Sequence, residues 1–220
     1  MNKSIVLPTS IDKPRASIFM IWLVTISGII GISMGYGDWF LPKTPFNLLL
    51  GMGLLYWNFP ASKGWFSFAI WSVVFLIGMG VETLGVNYGL LFGDYRYGDN
   101  LGPKVMGVPP LIGINWVVLT FLSGFIARQL FGAKWLACLA GAALMVALDF
   151  FIEPVAPVFD FWHWDDGHAP LQNFAAWFFV ALLLQFITFQ EIPDHQHRFP
   201  WHHFASQAVF FVFFYVFYQI

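Results

Sequence analysis

Residues 82–89, which read ETLGVNYG, decide how the chain is organised, because one apolar segment ends here and carries the glutamate Glu82. The sequence continues as FGDYRY at residues 92–97, LGPK at 101–104 and GVPPLI at 107–112, and reaches Asn115 and Trp116 inside the next apolar segment. A simple connection between two apolar segments does not need so many glycine, proline, tyrosine and charged residues. The rest of the chain is therefore interpreted as a scaffold that places other polar groups opposite this loop.

The composition predicts an integral membrane protein. The 220 residues are 59% hydrophobic and only 10% charged, with a mean hydropathy of +0.70, whereas a soluble domain carries about a quarter charged residues. The net charge of −2 gives no indication of nucleic-acid binding. The polar first 15 residues lead into an apolar segment too long for a signal-peptide core, which favours a retained first helix. With no repeat or linker, residues 1–220 are expected to form a single domain.

The apolar segments predict the number of membrane spans. A spanning helix needs about 20 apolar residues, and segments of that kind occur at roughly 17–36, 65–86, 108–129, 135–152, 171–190 and 201–220. Another segment at about 45–59 is short and rich in glycine, and either spans obliquely or re-enters. The predicted fold class is therefore an all-α, polytopic membrane helix bundle with about seven transmembrane helices, or six if the short segment does not span.

The distribution of positive charge predicts the orientation. With seven spans, three basic residues, Lys43, Arg96 and Lys104, lie on one side and the other seven of the ten lie on the side of the N-terminus. Cytoplasmic loops carry the excess of Lys and Arg, so the N-terminus is expected in the cytoplasm, consistent with a bacterial cell membrane. The loops around residues 87–107 and 153–170 then share the outer side, whether or not the short segment spans.

Three carboxylates near that outer side are the candidate catalytic residues. Glu82 lies near the end of the third helix, and Asp149 and Glu153 are four residues apart near the end of the fifth, so the last two share one helical face. A charge inside a spanning segment costs a few kcal/mol and generally marks a functional site. The alternative is that these carboxylates end their helices in headgroup water.

Other polar and aromatic residues of the same side are candidate substrate-binding or supporting residues. They are Asn87, Tyr95, Arg96, Tyr97, Lys104, Asn115, Trp116, Trp162, His163, Trp164 and Asn173. The asparagines within helices also fit interhelical hydrogen bonding, and the aromatic residues of the loops also fit an interfacial belt. Asp160 is expected to be exposed in the outer loop and to have no role in the site, and no metal site is predicted.

The residues alone indicate acid chemistry on a lipophilic molecule, or proton transport. Burial and a second nearby carboxyl both favour keeping a proton on a carboxylic acid. An acid that faces lipid suits an apolar proton acceptor, such as an isolated carbon–carbon double bond. Aromatic faces can stabilise the carbocation that protonation would form. The carboxylates cluster at one face with no relay toward the other, where Gln185 is the single polar candidate, and this weighs against transport.

The sequence also resembles a known family. The pattern E-x-x-G-V-x-x-G at residues 82–89, F-G-x-Y-x-Y at 92–97, LGPK at 101–104 and V-P at 108–109, with Trp116 following, is similar to the carotenoid biosynthesis membrane proteins. That family includes hydratases of γ-carotene, lycopene-type and bisanhydrobacterioruberin end groups. A second element, D-x-x-x-E-P at 149–154, followed by W-x-W at 162–164, Asn173 and Trp177, is similar to its second half. The resemblance covers roughly residues 75–180, and Glu153 departs from the aspartate more usual before that proline.

The resemblance implies addition of water across the terminal isopropylidene double bond of an acyclic carotenoid, which leaves a tertiary alcohol. It implies no cofactor, and it implies a carotenoid, water, membrane lipid and other carotenoid-pathway enzymes as partners. We favour the Asp149/Glu153 pair as the proton donor and Glu82 as the group that orients water, with the reverse assignment open. The alternatives are a carotenoid cyclase that uses the same carbocation, a proton-coupled transporter, and a non-catalytic carotenoid-binding protein. Neither the particular carotenoid nor the oligomeric state is predicted.

Overall fold

The structure, a computed structural model, describes residues 12–59, 64–193 and 196–219. Its helices are α1 (Lys13–Ser33), α2 (Gly37–Phe40), α3 (Thr44–Asn58), α4 (Trp65–Tyr88), α5 (Pro110–Leu130), α6 (Lys134–Ile152), α7 (Leu171–Thr188) and α8 (Arg198–Tyr218). A 3₁₀ turn, Leu41–Lys43, joins α2 to α3. Two short strands, β1 (Tyr95–Tyr97) and β2 (Trp162–Trp164), lie in the connections that follow α4 and α6.

The predicted helical bundle is confirmed, but a count of seven spans is not. Among the described residues, α1, α4, α5, α6 and α7 are long and apolar enough to cross a membrane. The short segment forms α3, whose 15 residues extend about 22 Å at 1.5 Å per residue, less than the roughly 30 Å hydrocarbon core. Helix α8 is not among these candidates. Its 21 residues include the polar side chains Arg198, His202 and His203 near its start.

Helix α5 lies at the centre of the bundle. It packs against α3, α4, α6, α7 and α8, and every residue from Trp116 to Ala127 is buried. A helix that is apolar all round lies either in a protein core or in a membrane, and here the surrounding helices cover it. Pro110 in the first turn removes an N–H that would otherwise have no partner in the helix. The central helix therefore begins at a fixed point beside the loop that carries the glycine and tyrosine pattern of residues 82–104.

The connections after α4 and α6 pair with each other. Helix α4 ends at Gly89, which adopts φ 64° and donates its N–H to the carbonyl of Gly85 at 2.8 Å. Strands β1 and β2 are antiparallel, with Arg96 opposite His163. The structure thus brings together the two loops predicted to share a side, and adds a two-stranded ribbon that the all-α prediction did not include. Three residues per strand are too few for alternation to be recognised in a sequence.

Candidate functional site

The ribbon delivers four aromatic side chains to the site. Successive residues of a strand point to opposite faces, so Tyr95 and Tyr97 of β1 share a face with Trp164 and Trp162, their partners in β2. Both tyrosines and Trp164 are buried, whereas Arg96 between the tyrosines has a side chain 70% exposed. The ribbon therefore covers the end of the bundle with aromatic rings whose polar atoms face inward.

Glu82 is held by three hydrogen-bond donors. Its Oε2 accepts the hydroxyl groups of Tyr95 at 2.5 Å and Tyr97 at 2.6 Å, and its Oε1 accepts the indole N–H of Trp116 at 3.0 Å. Burial, and next the nearby Glu82 carboxylate, raise the pKa of both tyrosines, so the phenols stay protonated and remain donors. Glu82 itself is 3% exposed. Its orientation is therefore fixed from both the ribbon and α5.

Two glycines of α4 allow these aromatic side chains to reach Glu82. A Cβ at Gly78, one turn before Glu82, would lie 2.7 Å from Cγ of Trp116. A Cβ at Gly85 would lie 2.9 Å from the hydroxyl oxygen of Tyr95. Trp116 also stacks on Trp177 of α7, with ring centroids 4.0 Å apart. Small residues on either side of the glutamate are thus what lets α4 approach α5 and the ribbon so closely.

The second carboxylate, Glu153, has its own set of donors. It lies just beyond the last residue of α6, where its Oε2 accepts the indole N–H groups of Trp162 at 3.0 Å and Trp164 at 2.7 Å. Its Oε1 accepts the side-chain amide of Asn173 at 2.9 Å. Burial raises the pKa of Glu153 to about 7 against the opposing effect of these hydrogen bonds. This carboxyl therefore exchanges a proton near neutral pH.

Asp149 is the least hydrogen-bonded of the three carboxyls. Its Oδ2 accepts the same Asn173 amide at 3.2 Å, so that one amide group bridges Asp149 and Glu153. No other described residue donates a hydrogen bond to Asp149, which is 2% exposed. Its backbone carbonyl accepts the N–H of Glu153 at 2.9 Å, as expected for residues four apart on a helix. Asp149 thus retains the most capacity for a new hydrogen bond.

The three carboxyls face one small pocket next to a larger cavity. The pocket has a volume of about 30 Å³, and its walls include Glu82, Asp149 and Glu153. A space that holds one water needs at least about 10–15 Å³ on this measure, so it accommodates one or two waters. The larger cavity, of about 120 Å³, is mostly apolar. Both are lined by Ile112, Asn115, Ile152 and Trp162, which places water-sized and hydrocarbon-sized spaces side by side.

The predicted supporting residues divide into two groups. Those that bond to the carboxyls or line the pocket are Tyr95, Tyr97, Asn115, Trp116, Trp162, Trp164 and Asn173. Four others lie outside the pocket and support the loops. Asn87 donates to the carbonyls of Thr83 and Met106, each at 2.9 Å, and Lys104 donates to the carbonyl of Tyr97 at 2.8 Å. Arg96 forms an ion pair with Asp165 at 3.4 Å, and His163 bonds Asp160.

Asp160 does not line the pocket, but it makes contacts that the sequence did not predict. Its side chain is 47% exposed, but Oδ1 lies 2.8 Å from Nε2 of His163 and Oδ2 accepts the backbone N–H of Asp99 at 2.8 Å. The hydrogen bond to His163 and that from Asp99 lower the pKa of Asp160. Asp160 also adopts φ 53°. It therefore ties together the connections on both sides of the ribbon, and an exposed position in a loop did not mean an absence of contacts.

The sequence analysis missed several residues that line the two cavities or allow the site to pack closely. Gly78, Ile112 and Ile152 were not proposed, nor was His203, which lies in the wall of the larger cavity and is 5% exposed. Gly78 had a signal, since a small residue one turn before an intramembrane glutamate permits close packing there. His203 had none, because nothing in its local sequence shows that α8 reaches the cavity.

The structure is a helix bundle with five helices long and apolar enough to cross a membrane among the described residues, and it encloses three carboxyls under an aromatic ribbon. The carotenoid biosynthesis protein family matches residues 44–220, and the chain belongs to that family. This confirms the resemblance seen in the sequence and extends it to both sides of residues 75–180. The family indicates a carotenoid-modifying role.

One characterised protein is a distant relative of the chain. The bisanhydrobacterioruberin hydratase of Haloarcula japonica is 28% identical to the chain over 120 residues, which cover 50% of this chain and 41% of that protein. The chain thus matches less than half the length of this relative. No solved structure gives a significant match.

Proposed function

We propose that the protein is a carotenoid hydratase that adds water by acid catalysis across the terminal isopropylidene double bond of an acyclic carotenoid. The observation that carries the proposal is the water-sized pocket of three carboxyls, which shares its wall with a hydrocarbon-sized cavity. Family membership supports a carotenoid as the substrate, and the name of the relative supports hydration as the reaction. Both kinds of support are independent of the geometry of the carboxyls.

We assign the proton donor to Asp149 within the Asp149/Glu153 pair. Two adjacent carboxyls in a low-dielectric site hold one proton between them more readily than two negative charges. Glu153 accepts three N–H donors and is well suited to carry the negative charge of the pair. Asp149 accepts only a long hydrogen bond, so its proton is free to be given to an alkene carbon.

The remaining steps need a water and a base. Proton transfer from Asp149 to the CH carbon of the double bond leaves a tertiary carbocation, which the indole faces of Trp162 and Trp177 can stabilise. The oxygen of a water in the pocket then bonds to the cation, and its proton passes to a carboxylate. We assign that role to Glu82, whose orientation is fixed by Tyr95, Tyr97 and Trp116. The net change is one water added to the carotenoid and one tertiary alcohol formed.

A carotenoid cyclase is the second candidate, since it would form the same cation and quench it with a neighbouring double bond. Room for water beside the carboxyls favours the hydratase. Pigment analysis of a host that makes acyclic carotenoids and expresses this chain distinguishes them. We expect a more polar pigment whose mass has risen by one water. A cyclic isomer of unchanged mass would show a cyclase, and unchanged pigment with folded protein would favour transport or binding.

We also propose that the N-terminus faces the cytoplasm and the ribbon faces the outer side, an orientation that requires α3 to cross the membrane although it is shorter than the hydrocarbon core. The bias of basic residues supports this orientation. Reporter tags at the N-terminus and in the loop near Asp99 should then label opposite sides of the membrane. Labelling of both from the same side would mean an even number of spans before residue 99, with α3 not spanning.

A further inference from the structure

The larger cavity contains a buried imidazole that the proposed chemistry does not use. His203 of α8 is 5% exposed and lines the cavity, and its Nδ1 has no hydrogen-bond partner among the residues that the structure describes. A neutral imidazole carries one N–H donor and one acceptor nitrogen. Leaving such a group buried and unpaired is costly, so its presence here points to a ligand.

The site is built to receive this ring. A Cβ at Gly51 of α3 would lie 2.9 Å from both Cε1 and Nε2 of His203, so only a glycine lets the imidazole lie against α3. Phe199 lies one turn earlier in α8, and the centroid of its ring is 5.4 Å from the centroid of the imidazole. The backbone carbonyl of His203 accepts the hydroxyl of Ser206 at 2.8 Å, which leaves the ring as the unpaired part of the residue.

The cavity also has the size of a hydrocarbon group. Its volume of about 120 Å³ is close to that of cavities that take up benzene. Apolar walls come from Leu48, Val118 and Phe211, on three different helices. At the end shared with the carboxyl pocket lies Asn115, a second polar side chain with no hydrogen bond to a described residue. A ligand that fills this space is therefore apolar over most of its surface, with a polar atom where it meets His203.

We propose that this cavity seats the end group of the lipophilic substrate and that His203 hydrogen-bonds a hydroxyl oxygen there. A hydroxyl both donates and accepts, so it matches Nε2 of the neutral imidazole in either tautomer, whereas Nδ1 has no surface open to the cavity. The oxygen belongs either to the substrate end group or to a water bound beside it. The inference rests on the proposed function for the lipophilic nature of the ligand. It makes His203 a binding residue for an oxygen distinct from the one added at the carboxyl pocket.

Binding to purified protein, measured together with turnover, tests the proposal. Two acyclic carotenoids would be used, one with hydrocarbon ends and one with a tertiary hydroxyl on an end group, and affinity would be read from quenching of tryptophan fluorescence. His203→Phe keeps a ring but removes both nitrogens. His203→Gln restores a donor and an acceptor, and His202→Phe makes the same change at the neighbouring position.

If the oxygen is carried by the substrate, His203→Phe should weaken binding of the hydroxylated carotenoid roughly tenfold and leave the hydrocarbon unaffected. If the oxygen is a water, turnover of both carotenoids should fall while their affinities stay unchanged. In either case His203→Gln should recover part of the loss and His202→Phe should show none. Unchanged binding and turnover in His203→Phe would overturn the proposal, as would a loss that His203→Gln does not recover, because packing alone would then explain it. Wild-type protein that binds but converts nothing would refute the hydratase and leave the binding result intact.

Discussion

Two buried polar clusters of this bundle look alike in sequence and differ in structure. Gln185 of α7 is 2% exposed and donates its amide to the carbonyl of Thr120 at 3.0 Å and to the hydroxyl of Ser123 at 2.9 Å. It packs so closely that a Cβ at Gly124 or Gly141 would lie within 3 Å of its side chain. The carboxyl cluster is equally buried, but Asp149 keeps hydrogen-bonding capacity and the cluster borders a pocket.

The difference shows what separates structural from functional polarity in a membrane helix. An amide that donates to two neighbours and packs against a glycine of each adjacent helix holds three helices together. Carboxyls with a space beside them can exchange a proton with something that enters. Burial of a polar residue does not decide between these roles, whereas an adjacent cavity and an unsatisfied polar atom do. We therefore expect the effects of substitution on hydration to decrease from Asp149, which keeps hydrogen-bonding capacity beside a pocket, to Gln185, which packs against two glycines.

The largest effect is expected from Asp149→Asn. The substitution keeps the size and the contact with Asn173 but removes the proton, so hydration should fall by at least the 10²–10⁴-fold typical of general acid–base groups. The measurement is the ratio of hydrated to unreacted pigment at matched protein level. Asp166→Asn is the control, because Asp166 is an exposed carboxylate of the loop that follows β2, and its ratio should equal that of the wild type.

Near-wild-type conversion by Asp149→Asn would remove Asp149 from the role of proton donor. The control matters because Asp160, which the sequence suggested for this purpose, bonds to Asp99 and His163 and holds the ribbon. Loss of activity in Asp160→Asn would therefore report on the position of the ribbon.

Glu82→Gln should have the next largest effect, on the order of 10²-fold. The amide has only one oxygen, so its NH₂ group would face some of the three donors that now bind Glu82. The variant loses the base for the attacking water and also disturbs the contact between ribbon and α4. Pigment conversion should be compared with the thermal unfolding temperature, and a loss of conversion fully explained by unfolding would argue against Glu82 as the base.

The sequence predicted the carboxyls better than it predicted their surroundings. Asp149 and Glu153 could be placed together because residues four apart share a helical face, and Glu82 because a charge within an apolar segment is unusual. The sequence could not predict that Tyr95 faces the site while Arg96 faces outward, since this depends on the pairing of two strands far apart in the chain. His203 was out of reach for the same reason, because its environment forms only when α3 packs on α8.

The pH dependence of hydration should identify the Asp149/Glu153 pair. Burial raises the pKa of Glu153 to about 7, so Glu153 keeps a proton well above the pH at which an ordinary glutamate loses it. The assigned mechanism needs a pair that holds one proton, with the negative charge on Glu153, so activity should rise as the pH increases through about 7, and this change belongs to the pair as a unit. Glu153→Gln should lower turnover about tenfold and remove this rise. A wild-type activity that instead declines through pH 7 would make Glu153 the proton donor of the pair.

The smallest effect on chemistry is expected from Gln185→Met. Methionine is unbranched and similar in length, so it should fit between Gly124 and Gly141 while removing the amide bonds to Thr120 and Ser123. Interhelical hydrogen bonds in membranes contribute about 0.6 kcal/mol on average, so the unfolding temperature in detergent should fall slightly and conversion should change less than twofold. A tenfold loss of conversion with unchanged unfolding would mean that Gln185 carries protons between the carboxyl pocket and the opposite face. That result would mean that both polar clusters are functional, and it would favour proton transport as the function of this bundle.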